Sequence, residues 1–191
     1  MIQVLDTGAA RRALARRLLR CPDCGAPVKP WGRARERAVR GPGEETAAAR
    51  PDRGRCTGCG TTHVILGAGL LPRRAYTAGL IGQALLSSAT GRGHQRTARE
   101  AGLPDGTVRG WIRQARRSAG QLREAGVRAV VALDPELLPA RALADPLASA
   151  LDALGAAAAA MGNRFRLHGT SPWARIAVLT RGQLLSLRPG G

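Results

Sequence analysis

The sequence predicts a mainly α-helical protein in which a small zinc ribbon with short β-strands precedes a tri-helical helix-turn-helix and a helical C-terminal region. Three observations support this fold class: a repeated Cys-x-x-Cys-Gly motif, a helical period of apolar residues from about residue 75 onward, and a low aromatic content of 3%. With few aromatic residues, the core must be built from Leu, Val, Ile and Ala, which suits small helical modules held by a staple. The predicted divisions are a basic N-terminal helix at 1–20, a four-cysteine ribbon-like module at 21–66 with an irregular loop at 32–55, a helix-turn-helix domain at 72–125 and a helical C-terminal region at 127–191.

The four cysteines of the chain form two copies of one motif. These are Cys21-Pro22-Asp23-Cys24-Gly25 and Cys56-Thr57-Gly58-Cys59-Gly60. Each Cys-x-x-Cys turn places two sulfurs on one side of a metal, and the following glycine lets the backbone tighten around them. We therefore predict one structural Zn²⁺ per chain, bound by Cys21, Cys24, Cys56 and Cys59. Four thiolates leave no open position for water, and the duplication with flanking glycines argues against the alternative of a redox dithiol.

The segment between the two cysteine motifs is longer than in most ribbons. It spans 31 residues, 25–55, where about 15–20 are usual. Charged and small residues without an apolar period fill 32–55, which predicts an irregular loop. After the second motif, the apolar run at 64–66 predicts a strand. His63 is an alternative ligand, but with four thiolates present we expect it to be a surface residue of that strand.

Start and stop signals place the helices along the chain. A basic helix is predicted from Thr7 to Arg20, and three further helices at 75–90, 94–101 and from Asp105 to about 124, before Gly126. In the last third, a capping side chain precedes proline three times, which indicates helix starts. These pairs are Asp134-Pro135, Asp145-Pro146 and Ser171-Pro172. The apolar stripe after Asp145 predicts core packing, with a dimerisation face as the alternative.

Residues 94–113 carry the pattern of a helix-turn-helix. Such a motif needs a small residue where its helices cross, a glycine at the turn, and apolar residues that fix the steep crossing angle. Ala98 and Gly102 meet the first two needs. The apolar residues are Leu103, Val108 and either Trp111 or Ile112.

The helix that follows the turn separates apolar residues from arginines. Arg109, Arg113 and Arg116 share one side, at least about 100° from the apolar side. Because arginine can bind guanine through two hydrogen bonds in the major groove, this side predicts contacts with duplex DNA. The predicted DNA-binding residues are Gln95, Arg96, Thr107, Arg109, Arg113, Arg116 and Arg117. The alternative is a tri-helical unit that only packs.

The charge of the chain favours a polyanionic partner. It has 30 Lys and Arg residues against 13 Asp and Glu, a formal net charge of +17, which promotes binding to nucleic acid through counterion release. No run of eighteen apolar residues predicts a membrane span, and Arg11, Arg12, Arg16 and Arg17 interrupt any secretory segment. We expect a cytoplasmic, nucleoid-associated protein without a membrane partner.

Four stretches of the chain together resemble a known family. They are CPDCG (21–25), PWGRAR (30–35), CTGCGTTHVILGAGLLPRRAY (56–76) and GHQRTAREAGLPDGTVRGWIRQAR (93–116), and the tail SPWARIAVLTRGQLL (171–185) extends the similarity. The resemblance is to an uncharacterised family of zinc-ribbon plus helix-turn-helix proteins from high-GC Gram-positive bacteria, often carried near transposon or integrase genes. Thr97 stands where an aliphatic residue is more usual. The resemblance implies mobile-element biology and supplies no reaction.

The motifs of common enzymes are missing from the sequence. There is no Walker loop or His-Glu-x-x-His motif, and the acidic residues are not arranged as the metal ligands of a carboxylate transposase. We therefore expect a sequence-specific DNA-binding protein, either a transcriptional regulator or an accessory or targeting protein of a mobile element, and not an enzyme. A homodimer or a mobile-element protein is a further candidate partner. The alternative is an adaptor for protein or RNA in which the helical hairpin only packs.

Overall fold

A computed structural model describes residues 1–43, 45–139 and 141–185. Within these residues the protein is mixed α/β, with seven α-helices and six strands, so the expected mainly α class understates the β content. The strands are β1 (Ile2–Val4), β2 (Val28–Arg33), β3 (Arg37–Arg40), β4 (Thr46–Ala49), β5 (Asp52–Cys56) and β6 (Thr62–Gly67). The helices are α1 (Thr7–Ala15), α2 (Ala78–Ala89), α3 (His94–Glu100), α4 (Asp105–Arg117), α5 (Ala119–Leu133), α6 (Pro146–Arg164) and α7 (Pro172–Leu179), with a 3₁₀ turn at Pro135–Leu137. Residues 186–191 of the predicted C-terminal region lie outside the described part.

A four-stranded sheet carries the cysteines. Its order is β1-β6-β5-β2, with β1 parallel to β6 and the other neighbours antiparallel. Helix α1 packs on one face, where a Cβ at Gly54 would lie 2.4 Å from Val28 Cγ1 and 3.0 Å from Leu14 Cδ1. The predicted N-terminal helix at 1–20 is therefore not a separate unit, because β1 and α1 complete the ribbon and its small core. The helix ends at Ala15, short of Arg20, because Arg17 adopts a positive φ of 56°.

The prediction of an irregular loop over 32–55 is wrong for most of its length. The end of β2, all of β3 and β4, and most of β5 fall within it. Strands β3 and β4 pair as an antiparallel hairpin, from Arg37 opposite Ala49 to Arg40 opposite Thr46. The hairpin is anchored by the buried side chain of Val39 and by two backbone hydrogen bonds. The Arg40 N–H donates to the carbonyl of Ala75 at 2.8 Å, and the Thr77 N–H donates to the carbonyl of Arg40 at 2.9 Å.

Helices α2 to α7 surround one hydrophobic core. Four residues of the apolar stripe of α6 belong to this core, which confirms the core-packing interpretation for that helix; they are Leu147, Leu151, Leu154 and Ala158. The fifth, Met161, is buried as well. The predicted caps at Asp145 and Ser171 begin α6 and α7, and each side chain accepts a hydrogen bond from the first turn. Asp134 precedes only the 3₁₀ turn and makes no such bond.

The predicted division between 125 and 127 falls inside a helix. The helix predicted to reach about 124 ends at Arg117, and after Ser118 the separate helix α5 continues through Gly126 to Leu133. Gly126 is a packing position rather than a stop, because its Cα faces the backbone of α6 at Ala153. The region predicted as a helix-turn-helix and the C-terminal helices thus share one core. Across the described residues, no helix combines the length and apolar character needed to cross a membrane.

Candidate metal centre and nucleic-acid interface

The structure brings the four predicted ligands together. All four cysteines are free thiols, and their sulfurs lie within 4.8 Å of one another. Cys21 Sγ is 3.8 Å from Cys59 Sγ, and Cys24 Sγ is 3.4 Å from Cys56 Sγ. In a tetrahedral site with metal–sulfur bonds of about 2.3 Å, the sulfurs are about 3.8 Å apart. The observed spacing therefore fits a metal ion bound by four thiolates, with one pair supplied by each turn.

The glycines of the two motifs shape the turns as expected. Gly25 and Gly60, which follow the second cysteine of each motif, have positive φ angles of 72° and 75°, a conformation that favours glycine. The Gly58 N–H donates to Cys56 Sγ at 3.3 Å, so a backbone amide points at a ligand sulfur. Gly58 also lets the two turns meet, because a Cβ there would lie 2.8 Å from Ala26 Cβ.

The environment of the sulfurs differs between the two motifs. Burial raises the pKa of the Cys21 thiol to about 11. Hydrogen bonds from the hydroxyl and backbone N–H of Thr61 lower the pKa of Cys59 to about 6. For Cys56, burial acts to raise the pKa, but hydrogen bonds from the Cys59 amide N–H, the Cys24 thiol and the Gly58 amide N–H outweigh it, and the pKa is lowered. Cys21 therefore depends more than Cys56 or Cys59 on a bound cation to be a thiolate at neutral pH.

His63 is buried, so its expected position on the surface is wrong. Its side chain is 1% exposed, and Nε2 lies 3.3 Å from Cys21 Sγ. Nδ1 lies 3.0 Å from the N-terminal ammonium of Met1, which can only donate. The other ring nitrogen, Nε2, is the atom that faces the Cys21 sulfur. His63 thus contacts a candidate ligand, as outer-shell groups of metal sites do. Its position two residues before Ile65, on the same face of β6, was the available signal for its burial.

A second set of ligand types overlaps the four cysteines. Cys21, Asp23 and His63 also lie within 4.8 Å of one another. Asp23 Oδ2 is 3.9 Å from His63 Nε2 and from Cys21 Sγ. Asp23 is an exposed residue of the first turn, and no pattern in the sequence singles it out. These three residues are the competing candidate site, and they share only Cys21 with the four-thiolate set.

Helices α3 and α4 meet at the predicted glycine turn. Gly102 has a φ of 61°, and Ala98 and Leu103 beside it are buried. On α4, Val108 and Trp111 face the core, and the Trp111 ring meets the ring of Tyr76 edge to face with centroids 5.0 Å apart. Trp111 rather than Ile112 is the fully buried member of the pair.

Thr97, at the position where an aliphatic residue was expected, is also buried. Its hydroxyl donates to the carbonyl of Gly93 at 3.2 Å. The hydroxyl therefore has a hydrogen-bond partner at the start of its own helix, so burying Thr97 does not leave this polar group unpaired.

The opposite side of α4 is a positively charged surface. Arg109, Arg113 and Arg117 are exposed, and in the described ranges none of the three forms an ion pair. With Arg116, Ile112 and His94 they line a shallow depression. We call Arg109, Arg113 and Arg117 the α4 arginine face.

The other predicted DNA-binding residues are placed differently. Arg116 Nη1 lies 2.9 Å from Asp145 Oδ2, so this arginine is held by the residue that caps α6. Arg96 Nε lies 2.8 Å from Glu100 Oε1 within α3. Gln95 is exposed and Thr107 is half-buried in the first turn of α4. The structure therefore groups Arg109, Arg113 and Arg117 as unpaired cations and separates Arg96 and Arg116 from them by their partners.

Comparison with known proteins gives one match. Residues 21–111 match the sequence profile of a family described as "Domain of unknown function (DUF6431)". No curated protein matches the chain, and no solved structure matches it. The matched range begins at Cys21 and ends at Trp111, so it contains all four cysteines, the β3–β4 hairpin, α2, α3 and the first half of α4. Over that range, the chain is similar to a family whose function is not known.

Proposed function

We propose that this protein binds duplex DNA sequence-specifically through a helix-turn-helix formed by α3 and α4, and that its four cysteines hold a structural Zn²⁺. The observation that carries the DNA proposal is the α4 arginine face. Three exposed cations without carboxylate partners, among the described residues, lie opposite a fully buried apolar side on the same helix. A helix that only packs would gain nothing from leaving these arginines unpaired.

The geometry around α4 fits the way a recognition helix reads DNA. The glycine turn at Gly102 and the buried Ala98 support a close crossing of α3 and α4. In helix-turn-helix proteins the N-terminal half of the second helix contacts base edges in the major groove. Arg109 belongs to that half and Arg117 is its last residue. Arg109 is therefore the first candidate for a base contact, Arg113 is a second because it lies one turn further along the same side, and Arg117 is the candidate for a phosphate contact.

Zinc is the ion that the donor set favours. Four thiolates in a tetrahedral arrangement select Zn²⁺ or iron–sulfur chemistry among common biological metals. The core under the sheet is small and contains few buried side chains. A unit of this size needs a metal ion or a covalent cross-link to be stable, which supports a structural rather than a catalytic role for the ion. A closed four-sulfur site also leaves no position for substrate.

The biological role follows from the binding proposal and the family resemblance. A transcriptional regulator or an accessory or targeting protein of a mobile element, acting in the cytoplasm on the nucleoid, uses DNA recognition without a reaction of its own. A homodimer or a mobile-element protein would be the protein partner. Selection of bound fragments from random duplex DNA, followed by binding measurements at several salt concentrations, tests this function. A single enriched sequence with a steep salt dependence is the expected result.

Arg109→Ala is expected to weaken binding to the selected sequence by roughly 1–3 kcal/mol and to relax preference at one base pair. The reason is loss of a two-hydrogen-bond contact with a base edge, which discriminates among bases. The measurement is affinity for the selected duplex and for single-base variants. Arg128→Ala is the matched control, because Arg128 is an exposed arginine on α5 beside Glu124 and its removal changes the net charge equally. Equal losses for Arg109→Ala and Arg128→Ala would refute base recognition.

Arg117→Ala is expected to weaken binding to all duplex sequences alike and to lower the salt slope by about one unit. A phosphate contact releases counterions but reads no base, so preference among sequences should not change. Affinity for selected and scrambled duplexes at several salt concentrations provides the measurement. A change in sequence preference with an unchanged slope would reverse the roles assigned to Arg109 and Arg117.

A further inference from the structure

The solvent face of the cysteine-bearing sheet carries positive charge around an exposed tryptophan. Directly paired residues of antiparallel strands point to the same face. Lys29 is opposite Arg55, and Arg55 is in turn opposite Thr62. Trp31 is 45% exposed, and its ring lies against Arg55, so it is on this face as well. Arg53, two residues before Arg55 on β5, shares the face. We call Lys29, Trp31, Arg53 and Arg55 the Trp31 face.

Arg55 and Trp31 form a stacked pair. The guanidinium carbon of Arg55 lies 4.9 Å from the centroid of the Trp31 ring. Arg55 Nε also donates to the carbonyl of Gly60 at 3.2 Å, which fixes the side chain from its other side. A large aromatic ring is therefore held in solvent beside a fixed cation, although burying the ring elsewhere would stabilise the fold.

The charges on this face are not balanced by acids. Lys29 and Arg55 are like charges directly opposite each other, an arrangement that destabilises a sheet. The acid of these two strands is Asp52, which belongs to the other face and is shared by Arg11 at 2.8 Å and Arg33 at 3.4 Å. The fold thus keeps a repulsive pair next to an exposed ring, which is expected where an anion binds.

The positive surface continues beyond the strands. Thr62 and Val64 of β6 border a cleft that is also lined by Arg35, Arg37 and Arg73. Among the described residues, no Asp or Glu lines this cleft. A chain of phosphates leaving the Trp31 face therefore meets further arginines, so the surface suits an extended polyanion better than a single phosphate group.

We infer that the Trp31 face binds single-stranded nucleic acid, with a base stacked against Trp31 and with Lys29, Arg53 and Arg55 at the phosphates. A base can stack on a protein ring only when it is not already stacked on both sides in a duplex, so the ligand is an unpaired strand. The surface lies on the sheet and does not use the α4 arginine face. A duplex with a frayed or nicked end could then contact both surfaces of one protein.

The test compares three polymers bound by the full chain: an oligothymidylate, an abasic deoxyribose-phosphate strand of equal length, and a duplex. Trp31→Ala should weaken binding of oligothymidylate about tenfold, the effect of losing one stacked base. It should leave the abasic strand and the duplex unaffected, because neither offers an unpaired base. Oligothymidylate should also quench the fluorescence of Trp31 in the wild-type protein, because a stacked base contacts this ring directly. Trp111 is buried and Trp173 is half-buried, so neither should respond as strongly.

Two further variants separate this inference from the proposed function. Arg109→Ala should lose duplex affinity and keep oligothymidylate affinity, whereas Arg55→Gln should do the reverse. Metal content and thermal unfolding confirm that each variant is folded. Equal affinity of the wild-type protein for oligothymidylate and the abasic strand would overturn the inference, as would equal losses of single strand and duplex in Trp31→Ala. Absence of single-strand binding would also overturn it and leave a protein as the occupant of this face.

Discussion

Cys56→Ser is expected to abolish stoichiometric metal binding and to unfold the cysteine-bearing sheet. Cys56 is buried at the end of β5, in contact with the small core that Leu14, Val28 and Ile65 form. In zinc-finger peptides the metal contributes about 10–16 kcal/mol of apparent binding free energy, and that energy is folding energy. The core under this sheet is too small to replace such a contribution, so the variant should lose structure there even without denaturant.

Metal analysis of the purified wild-type protein should give close to one equivalent, and the variant should give almost none. Hydrogen exchange of the amides in β2, β5 and β6 should become fast in Cys56→Ser or after chelation. Exchange in α6 reports whether the helical core remains. The helical core has its own cluster of buried residues, separate from the cluster under the cysteine-bearing sheet, so we expect it to persist. Unchanged exchange of the sheet after complete metal removal would contradict a structural role for the ion.

Asp23→Asn is the matched control for the metal experiment. It alters an exposed residue of the first cysteine turn without removing a thiolate, so the four-sulfur site should keep its metal. If Cys21, Asp23 and His63 were the true ligands, Asp23→Asn would lose the metal and Cys56→Ser would keep it. Cobalt substitution adds a spectroscopic check, because thiolate-to-cobalt absorption should fall in Cys56→Ser and remain in Asp23→Asn.

The four-cysteine cluster was predictable because its signal is local. Each pair of ligands lies within one turn, and the glycines at 25 and 60 mark the backbone conformation that the turn needs. The supporting residues were not predictable in the same way. His63 reaches Cys21 only because β6 and the first turn are brought together by the sheet, 42 positions apart in the chain. Sequence spacing carries no trace of that contact.

The β3–β4 hairpin was missed because its strands bury almost nothing. Val39 is their one fully buried large side chain, and β4 reads Thr-Ala-Ala-Ala, which favours a helix or a loop as much as a strand. The hairpin is held by backbone pairing and by the bonds of Arg40 to the segment before α2. Such stabilisation depends on the neighbouring chain and leaves no apolar period in the sequence.

The helical part shows the same division between local and distant signals. Asp145 and Ser171 cap their helices as predicted because capping involves only the next three residues. The ion pair of Arg116 with Asp145 joins two helices that are distant in sequence. Arg116 was predicted to contact DNA, and because of this pair it is not one of the unpaired arginines of α4. Gly126 was interpreted as a helix stop. In the sequence, a glycine that ends a helix cannot be distinguished from a glycine that allows a second helix to pack closely.

Gly126→Ala is expected to lower the free energy of unfolding by about 3 kcal/mol, near the upper end of the usual cost of overpacking. A Cβ at this position would lie 2.7 Å from the carbonyl carbon and 2.9 Å from the carbonyl oxygen of Ala153, and 2.8 Å from the amide nitrogen of Leu154. All three atoms are backbone, so no side chain can rotate away and α5 must separate from α6. Replacing glycine by alanine in a helix normally gains up to about 1 kcal/mol, and this gain is too small to offset the separation.

Gly155→Ala provides the matched control, since Gly155 is an exposed mid-helix residue of α6 and nothing lies within 4 Å of its added Cβ. It should raise the free energy of unfolding by about 0.5–1 kcal/mol through helix propensity alone. Denaturant unfolding of the two variants then gives shifts of opposite sign, and in thermal unfolding each kcal/mol corresponds to roughly 2–4 °C. Stabilisation by both substitutions would mean that α5 and α6 do not pack closely at Gly126. The C-terminal helices would then form a unit separate from α2 to α4, as the sequence predicted. Shifts of opposite sign would show that the C-terminal helices and α4 belong to one folded unit. Helix α5 follows α4 after a single residue, and it packs on α6 through Gly126.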